Sequence, residues 1–193
     1  MPKLGMEPIR RAALVKATIA EIGATGSLDV TVSQIAKRAG MSSALAHHYF
    51  GGKDQIFLAA MRHVLSLYGA EVRGALAMAL GPESRIEAIV RAGFGTSNFR
   101  REVIAAWLNF YVLAQTNTEA RRLLAIYQRR LHSNLCHDLR PLIGNRAEPV
   151  AERLAGLIDG IYLRQVLGLR QPSGEAAVTS VLAVLKLELG ETA

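Results

Sequence analysis

Apolar residues recur at spacings of three and four along nearly the whole chain and strict alternation never persists, so the pattern predicts an all-α protein. The first helix opens after Glu7-Pro8, since proline suits a first turn. Its expected inner face carries Ile9, Ala13, Ala17, Ala20 and Ile22, its polar side Arg10, Arg11 and Lys16, and it stops at Gly23 to Gly26. Thr31 and Gln34 spell a capping box that starts a short second helix, and Gly40 ends it. A third runs from Ser42 or Ser43 to about Phe50. Gly51-Gly52 then breaks the chain. Lys53-Asp54 opens a long helix through Ile56, Phe57, Ala60, Val64, Leu67 and Tyr68 to about Leu80, where Gly81-Pro82-Glu83-Ser84 is a clear stop. Further helices are expected at about 84–95, 100–115, 118–140, 148–169 and 174–189, with no internal repeat.

The stretch from Thr31 to Phe50, TVSQIAKRAGMSSALAHHYF, has the form of a helix-turn-helix. Ala36 is small where two helices must cross, and Gly40 allows a left-handed turn. Ile35, Ala39, Met41, Ala46 and Phe50 can form the shared apolar seam. The second of these helices then becomes a reader. Ser43, Ala44 and Leu45 at its start, with Ser42 beside them, can face base edges in a major groove, where hydroxyls hydrogen-bond and apolar groups touch a thymine methyl. His47, His48, Tyr49 and Lys53 can donate to phosphates, and Thr31 can cap its helix and reach a phosphate as well. The alternative is an ordinary helical hairpin in a bundle, but five features coincide in twenty positions. Residues 1–52 are therefore assigned to a DNA-binding domain, and 53–193 to a helical effector-binding and dimerisation domain joined to it by the helix 53–80.

Charge sharpens this assignment. The 193 residues carry a net +7, of which +4 falls within residues 1–62 and +3 within the remaining 131, so basicity concentrates where phosphates would be met. Half the residues are apolar, enough for a sizeable core. The single Cys136 can form no intrachain disulfide, which suits a reducing compartment. The longest uncharged run, Val103 to Thr118, is too short to span a bilayer and is interrupted by Asn109, Gln115 and Asn117. Lys16 and Glu21 interrupt the first apolar stretch, which leaves no core for a signal peptide, and the expected location is the cytoplasm.

Catalytic and metal-binding patterns are weak. His47 and His48, adjacent on a helix, point about 100° apart and cannot easily share an ion. His132, Cys136 and His137 have near-helical ligand spacing, but without a carboxylate pattern they read as packing, and Asp138 is expected to face away from the His137 imidazole. Gly93-Phe94-Gly95 lacks the third glycine of a dinucleotide loop, and Gly52-Lys53 lacks the rest of a phosphate-cradling loop. No enzymatic function, cofactor or metal is expected.

Aromatic residues are scarce, so their grouping matters. Trp107, Phe110 and Tyr111 lie at spacings of three and four on one helical face, with Phe99 upstream, Tyr127 on the next helix and Tyr162 on a later one. Each could be core filling. As a set they could also line a pocket for a cation, and Asp159, three residues before Tyr162, could supply the counter-charge. A structural pair of Asp159 with Arg153, Arg164 or another helix is the competing reading. Val150, Leu154, Leu157, Ile158, Ile161 and Tyr162 form one apolar stripe. Val178, Leu182, Leu185 and Leu189, widened by Val181 and Val184, form a second. Their breadth predicts a two-fold dimer through the helices at about 148–169 and 174–189, matched to a palindromic operator.

An N-terminal helix, then T-x-x-x-I-A-x-x-A-G-M-S, then H-H-Y-F-G-G-K-D and an all-α remainder resembles the TetR family of one-component repressors. The resemblance implies base-facing roles for Ser33, Ser43, Ala44 and Leu45 and backbone roles for Thr31, His47, Tyr49 and Lys53. Where the common family pattern has T-L-Y-Y-H-F, this chain has Leu45-Ala-His-His-Tyr-Phe50, which shifts the phosphate contact made by an aromatic residue at position 47 toward histidine and Tyr49. Met1 to Arg11, Ala106 to Phe110, Arg129 to Leu135 and Leu157 to Arg164 are further similar to the choline-responsive repressors of glycine betaine synthesis genes within that family. This narrower resemblance implies control of choline uptake and oxidation, with choline or its aldehyde as inducer; the candidate contacts Trp107, Phe110, Tyr111, Tyr127, Asp159 and Tyr162 come from the aromatic grouping and not from the resemblance. A repressor of the same type sensing other cationic or apolar molecules is the alternative, and a helical-bundle enzyme using His132, His137 or Asp159 a remote one.

Overall fold

Local signals place the helix ends in the computed structural model, which describes residues 5–190. The elements are α1 (Met6–Thr25), α2 (Val32–Arg38), α3 (Ser43–Phe50), α4 (Lys53–Met78), α5 (Pro82–Gly93), α6 (Arg101–Thr116), α7 (Thr118–Ile143), α8 (Ala147–Leu167) and α9 (Gly174–Leu189). Short 3-10 turns lie at Thr96–Phe99 and Gly144–Arg146, and no strand is present among the described residues. The Thr31 hydroxyl accepts from the Gln34 amide while the Gln34 side chain accepts from the Thr31 amide, the reciprocal capping box that the sequence predicts. Ser42 caps α3 and Ser173 caps α9 in the simpler manner.

The chain packs as two compact units. One contains the described residues up to Ser66 together with Arg100–Leu123, so the first half of α4 and all of α6 pack with α1 to α3. Its core is built on Leu14, Ile22, Val30, Ile35, Ala36, Ala46, Ile56 and Phe57, with Ala39, Met41 and Phe50 partly buried against them. The expected seam between α2 and α3 is thus present, and Gly40 adopts φ +68° at the turn. The inner face of α1 differs from the expectation. Ile9 is 63% exposed, whereas Leu14, Val15, Ala17, Thr18 and Ile22 are buried. Thr18 can enter the core because its hydroxyl donates to the Leu14 carbonyl, 2.8 Å away.

The expected stop at Gly23 to Gly26 is present, and Gly26 rather than Gly23 makes it. The helix runs on to Thr25, and Gly26, at φ 70°, is the left-handed cap. Gly23 instead lies where α1 crosses α6: an added Cβ would stand 2.5 Å from Glu102 Cβ and 2.6 Å from Glu102 Cα. Gly23→Ala should therefore destabilise the protein by about 1–3 kcal/mol, despite the better helix propensity of alanine. A denaturant midpoint equal to that of the parent would show that the crossing is not this close. Nearby, Asn109 of α6 accepts from the Leu28 amide at 3.2 Å and donates to the Gly26 carbonyl at 3.1 Å. The loop leading into α2 is held to α6 by that one side chain.

The other unit contains Leu67–Phe99 and the described residues from Leu124 onward. α9 packs on α8 and α5. Gly174 starts α9 because any side chain there would run into the Phe94 carbonyl oxygen. Arg153 pairs with Glu188 through two hydrogen bonds of 2.8 and 2.9 Å, fixing α8 to the end of α9. The two apolar stripes divide. Val150, Leu154, Ile158 and Tyr162 of α8 and Val178, Val181 and Leu185 of α9 are buried within the protomer; Leu157, Ile161, Leu182, Val184 and Leu189 keep part of their surface exposed, and Leu187 most of it.

Asp138 also departs from expectation. It does not point away from His137: the His137 Nδ1 lies 2.9 Å from Asp138 Oδ1, and the Arg85 guanidinium donates to the same oxygen at 2.8 Å. A side chain one position further along a helix can still fold back along the surface toward its neighbour. Asp138 is buried while His137 is largely exposed, so Arg85 is the partner that neutralises it. No described helix is long and apolar enough to cross a membrane.

Candidate nucleic-acid interface and sensor site

Capping and the Gly40 turn present one solvent-facing surface built from α2, α3 and the start of α4. Thr31, Ser33, Ser42, Ala44, His47 and His48 are exposed on it, and Ser43, Leu45, Tyr49 and Lys53 are half-exposed. The Ser33 hydroxyl lies 3.3 Å from that of Ser43, so the two serines stand together although they come from different helices. His47 Nδ1 lies 3.3 Å from the Gly51 carbonyl. Lys53 Nζ sits 5.6 Å from the Phe57 ring centre, its charge held at the first turn of α4.

Two residues of α1 belong to this surface and carried no motif signal. Arg10 Nη1 donates to the Tyr49 hydroxyl at 3.4 Å. The Arg11 guanidinium lies over both the Tyr49 and Phe50 rings, 5.4 and 5.1 Å from their centres, and pairs with Glu7 at 2.8 Å. The sequence shows only that Arg10 and Arg11 lie on the polar side of α1. Their proximity to Tyr49 is a tertiary contact.

The residues expected to meet an effector separate into groups. Trp107, Phe110 and Tyr111 lie in the first unit as one aromatic face, Trp107 and Phe110 being buried. The rings of Phe110 and Tyr111 stand 6.1 and 5.8 Å from that of Trp107. In the second unit Tyr127 donates its hydroxyl to Asp159 at 2.9 Å. Tyr68 completes this second group and was read from sequence only as part of the α4 apolar face. Its ring is 5.9 Å from that of Tyr127, tilted by 60°. Tyr162 stacks on Phe99 at 5.7 Å and donates to the Asn98 carbonyl at 2.9 Å, which commits its hydroxyl to the 3-10 turn.

Electrostatics single out Asp159. Arg153 is taken by Glu188, and among the described residues no Lys, Arg or His forms an ion pair with Asp159. Burial pushes its carboxyl above the ordinary aspartate value, partly offset by the hydrogen bond from Tyr127. Burial, reinforced by the charges of Asp159 and Glu71, raises the Tyr68 phenol well above its usual range, so it stays neutral. Burial does the same to Tyr162. The chemistry on offer is a half-buried anion beside two neutral aromatic rings, an environment that suits a cation unable to donate hydrogen bonds.

Comparison with known proteins places both parts of the chain in families. A family model for bacterial regulatory proteins of the tetR family matches residues 14–60, and one for the C-terminal part of BetI-type transcriptional repressors matches residues 82–190. The HTH-type transcriptional regulator BetI of Brucella anthropi is 50% identical over 190 residues, covering 98% of each chain. That of Rhizobium meliloti is 49% identical over 179 residues, covering 92% of this chain and 88% of its own. Among solved structures, a transcriptional regulator from Pseudomonas aeruginosa PAO1 is similar at a TM-score of 0.84 and 25% identity, over 95% of this chain and 91% of that one. A transcriptional regulator from Saccharomonospora viridis, crystallised in complex with choline, shares the fold at a TM-score of 0.81 and 22% identity, over 91% of this chain and 95% of that one. The chain belongs to the TetR family of DNA-binding transcriptional repressors, which are regulators rather than enzymes, and within it to the BetI type.

Proposed function

We propose that this repressor controls genes for choline uptake and for the oxidation of choline to glycine betaine, and that choline or its aldehyde is the effector that relieves repression. One observation carries the effector assignment: the half-buried Asp159 carboxylate, without a cationic partner among the described residues, beside the rings of Tyr127 and Tyr68. A quaternary ammonium has no N–H to satisfy, so aromatic faces and one carboxylate meet its needs. The choline bound to the Saccharomonospora viridis regulator is consistent with this reading, as is the extent of identity to BetI regulators. Trp107, Phe110 and Tyr111 remain proposed effector contacts, and Tyr162 is proposed to hold the turn at Thr96–Phe99 in place.

The DNA-binding part follows from chemistry on the reading surface. Ser33, Ser42, Ser43, Ala44 and Leu45 are proposed to face base edges, and Thr31, His47, His48, Tyr49 and Lys53 to contact the backbone. Two copies associate through α8 and α9, whose outer residues Leu157, Ile161, Leu182, Leu187 and Leu189 retain exposed apolar surface within the protomer. A two-fold dimer matches a palindromic operator with half-sites ~34–36 Å apart or a multiple of this. Effector binding tilts α4, which changes the separation of the reading helices. A coupling of ~1–3 kcal/mol would weaken operator affinity by ~5- to 150-fold.

Titration of the protein against the upstream region of its own gene, with and without choline, is the direct test. Binding that weakens in choline chloride but not in an equal concentration of sodium chloride is expected. Binding blind to choline would remove the effector assignment and leave the repressor class standing.

A further inference from the structure

We infer that Arg10 and Tyr49 form a joint clamp for one DNA backbone phosphate, with Arg11 bracing the tyrosine ring. Tyr49 is one of the residues, with histidine, toward which the departure from the family pattern shifts the phosphate contact, and a phenol has one proton to give. Because its oxygen accepts from Arg10 Nη1 at 3.4 Å, that proton is free to donate outward. The guanidinium keeps further N–H groups beyond the one spent on Tyr49, and its fork suits two oxygens of a phosphate.

Charge on this surface supports the assignment. Arg11 is neutralised by Glu7 and Arg38 by Glu21, at 2.8 and 2.6 Å, whereas among the described residues no carboxylate pairs with Arg10. An unpaired, half-exposed guanidinium beside a tyrosine hydroxyl at the edge of a DNA-reading surface has a phosphate as its natural complement. Arg11, by contrast, spends its charge on Glu7 and its face on the Tyr49 and Phe50 rings, which fixes the direction of the Tyr49 ring. Arg10 is thus a contact residue and Arg11 a positioning residue.

The clamp is tested with the full-length protein and a random-sequence duplex of about 30 base pairs, because a phosphate contact is independent of sequence. Affinity is measured by fluorescence anisotropy at several salt concentrations. Arg10→Gln should weaken binding roughly tenfold at low salt and reduce the slope of log affinity against log salt by roughly 0.9 for each subunit's lost phosphate. Arg10→Lys should keep the slope, since the charge remains. Tyr49→Phe should weaken binding with little change in slope, and the double variant Arg10→Gln/Tyr49→Phe should lose less than the product of the single losses. An unchanged slope in Arg10→Gln, or fully multiplicative losses in the double variant, overturns the clamp. Matching thermal melts across the set exclude loss of fold as the cause; if Arg10→Gln melts early, the equal slopes of Arg10→Lys and parent, against a lower slope in Arg10→Ala, carry the same decision.

Discussion

Asp159→Asn should lower choline affinity by roughly 30-fold or more, the consequence of removing one partner from a largely desolvated charge pair, which costs about 2–5 kcal/mol. The same substitution should leave operator binding in the absence of choline unchanged. Asparagine keeps an oxygen that can accept from Tyr127, so the hydrogen bond at 2.9 Å has a replacement and the packing of α7 against α8 has no reason to move. Burial raises the Asp159 carboxyl above its ordinary value, so the ionised form is less stable in the folded protein than in the unfolded chain. That penalty is present at neutral pH and disappears as pH falls and the carboxyl takes up a proton. Apo Asp159→Asn should therefore be at least as stable as the parent at neutral pH.

The same reasoning gives a pH signature. Choline does not titrate and Tyr68 stays neutral, so of the carboxylates acting on Tyr68, Asp159 and Glu71, the one hydrogen-bonded to Tyr127 is the one whose charge changes beside the cation. Choline affinity should fall as pH is lowered through the raised Asp159 value, beginning above the window of a solvent-exposed aspartate. In Asp159→Asn the pH dependence should be much weaker, with only the Glu71 charge left to change near Tyr68. Calorimetric titration of both proteins at several pH values measures this directly; equal affinities and equal profiles would place the cation elsewhere.

The reading head was legible in the sequence because its determinants are local. A capping box spans four residues, a left-handed glycine acts at one, and both leave marks that survive without knowledge of the fold. Helical periodicity was similarly sufficient to place α5 to α9. It was not sufficient to say which of two adjacent lines on a helix is covered. Ile9 was expected on the inner face of α1 and Leu14 was not, yet Ile9 is exposed and Leu14 fully buried. The stop at Gly23 to Gly26 was legible, but glycine has two structural uses, and the close crossing at Gly23 is invisible until the neighbour is known.

The candidate sensor site was legible only in part for the same reason. Tyr127 and Asp159 were singled out for their chemistry, and the structure joins them across 32 positions. Tyr68 carries the same chemistry but sat inside a regular apolar stripe, where an aromatic residue is ordinarily core. The Arg10–Tyr49 contact spans 39 positions and has no local trace. Asp138 failed in the opposite direction, since adjacency on a helix seemed to exclude a contact that a short side chain can make along the surface.

Arg85→Ala should cost about 3 kcal/mol of folding stability, the lower end of the range for breaking a buried pair by removing one partner. The lower end applies because Arg85 itself is 31% exposed, whereas the Asp138 side chain is only 4% exposed. Without Arg85, Asp138 keeps only the contact with the largely exposed His137 among the described residues. Its Oδ2 is buried without a hydrogen-bond partner among the described residues, and His137, 75% exposed, faces water and screens its own contribution. Arg85 also donates from Nη1 to the Leu76 carbonyl at 3.3 Å, near the end of α4, so the substitution frees that helix end as well. Removing both charges tests whether desolvation is the cause. Arg85→Met/Asp138→Leu fills similar volume without burying an ion, and should recover most of the loss. Denaturant unfolding of the parent, the single variant and the double variant decides the matter. A single variant within about 0.5 kcal/mol of the parent, the range of an ordinary surface substitution, would mean that Asp138 is solvated; a double variant no better than the single one would mean that the Leu76 contact, not the ion pair, holds the end of α4.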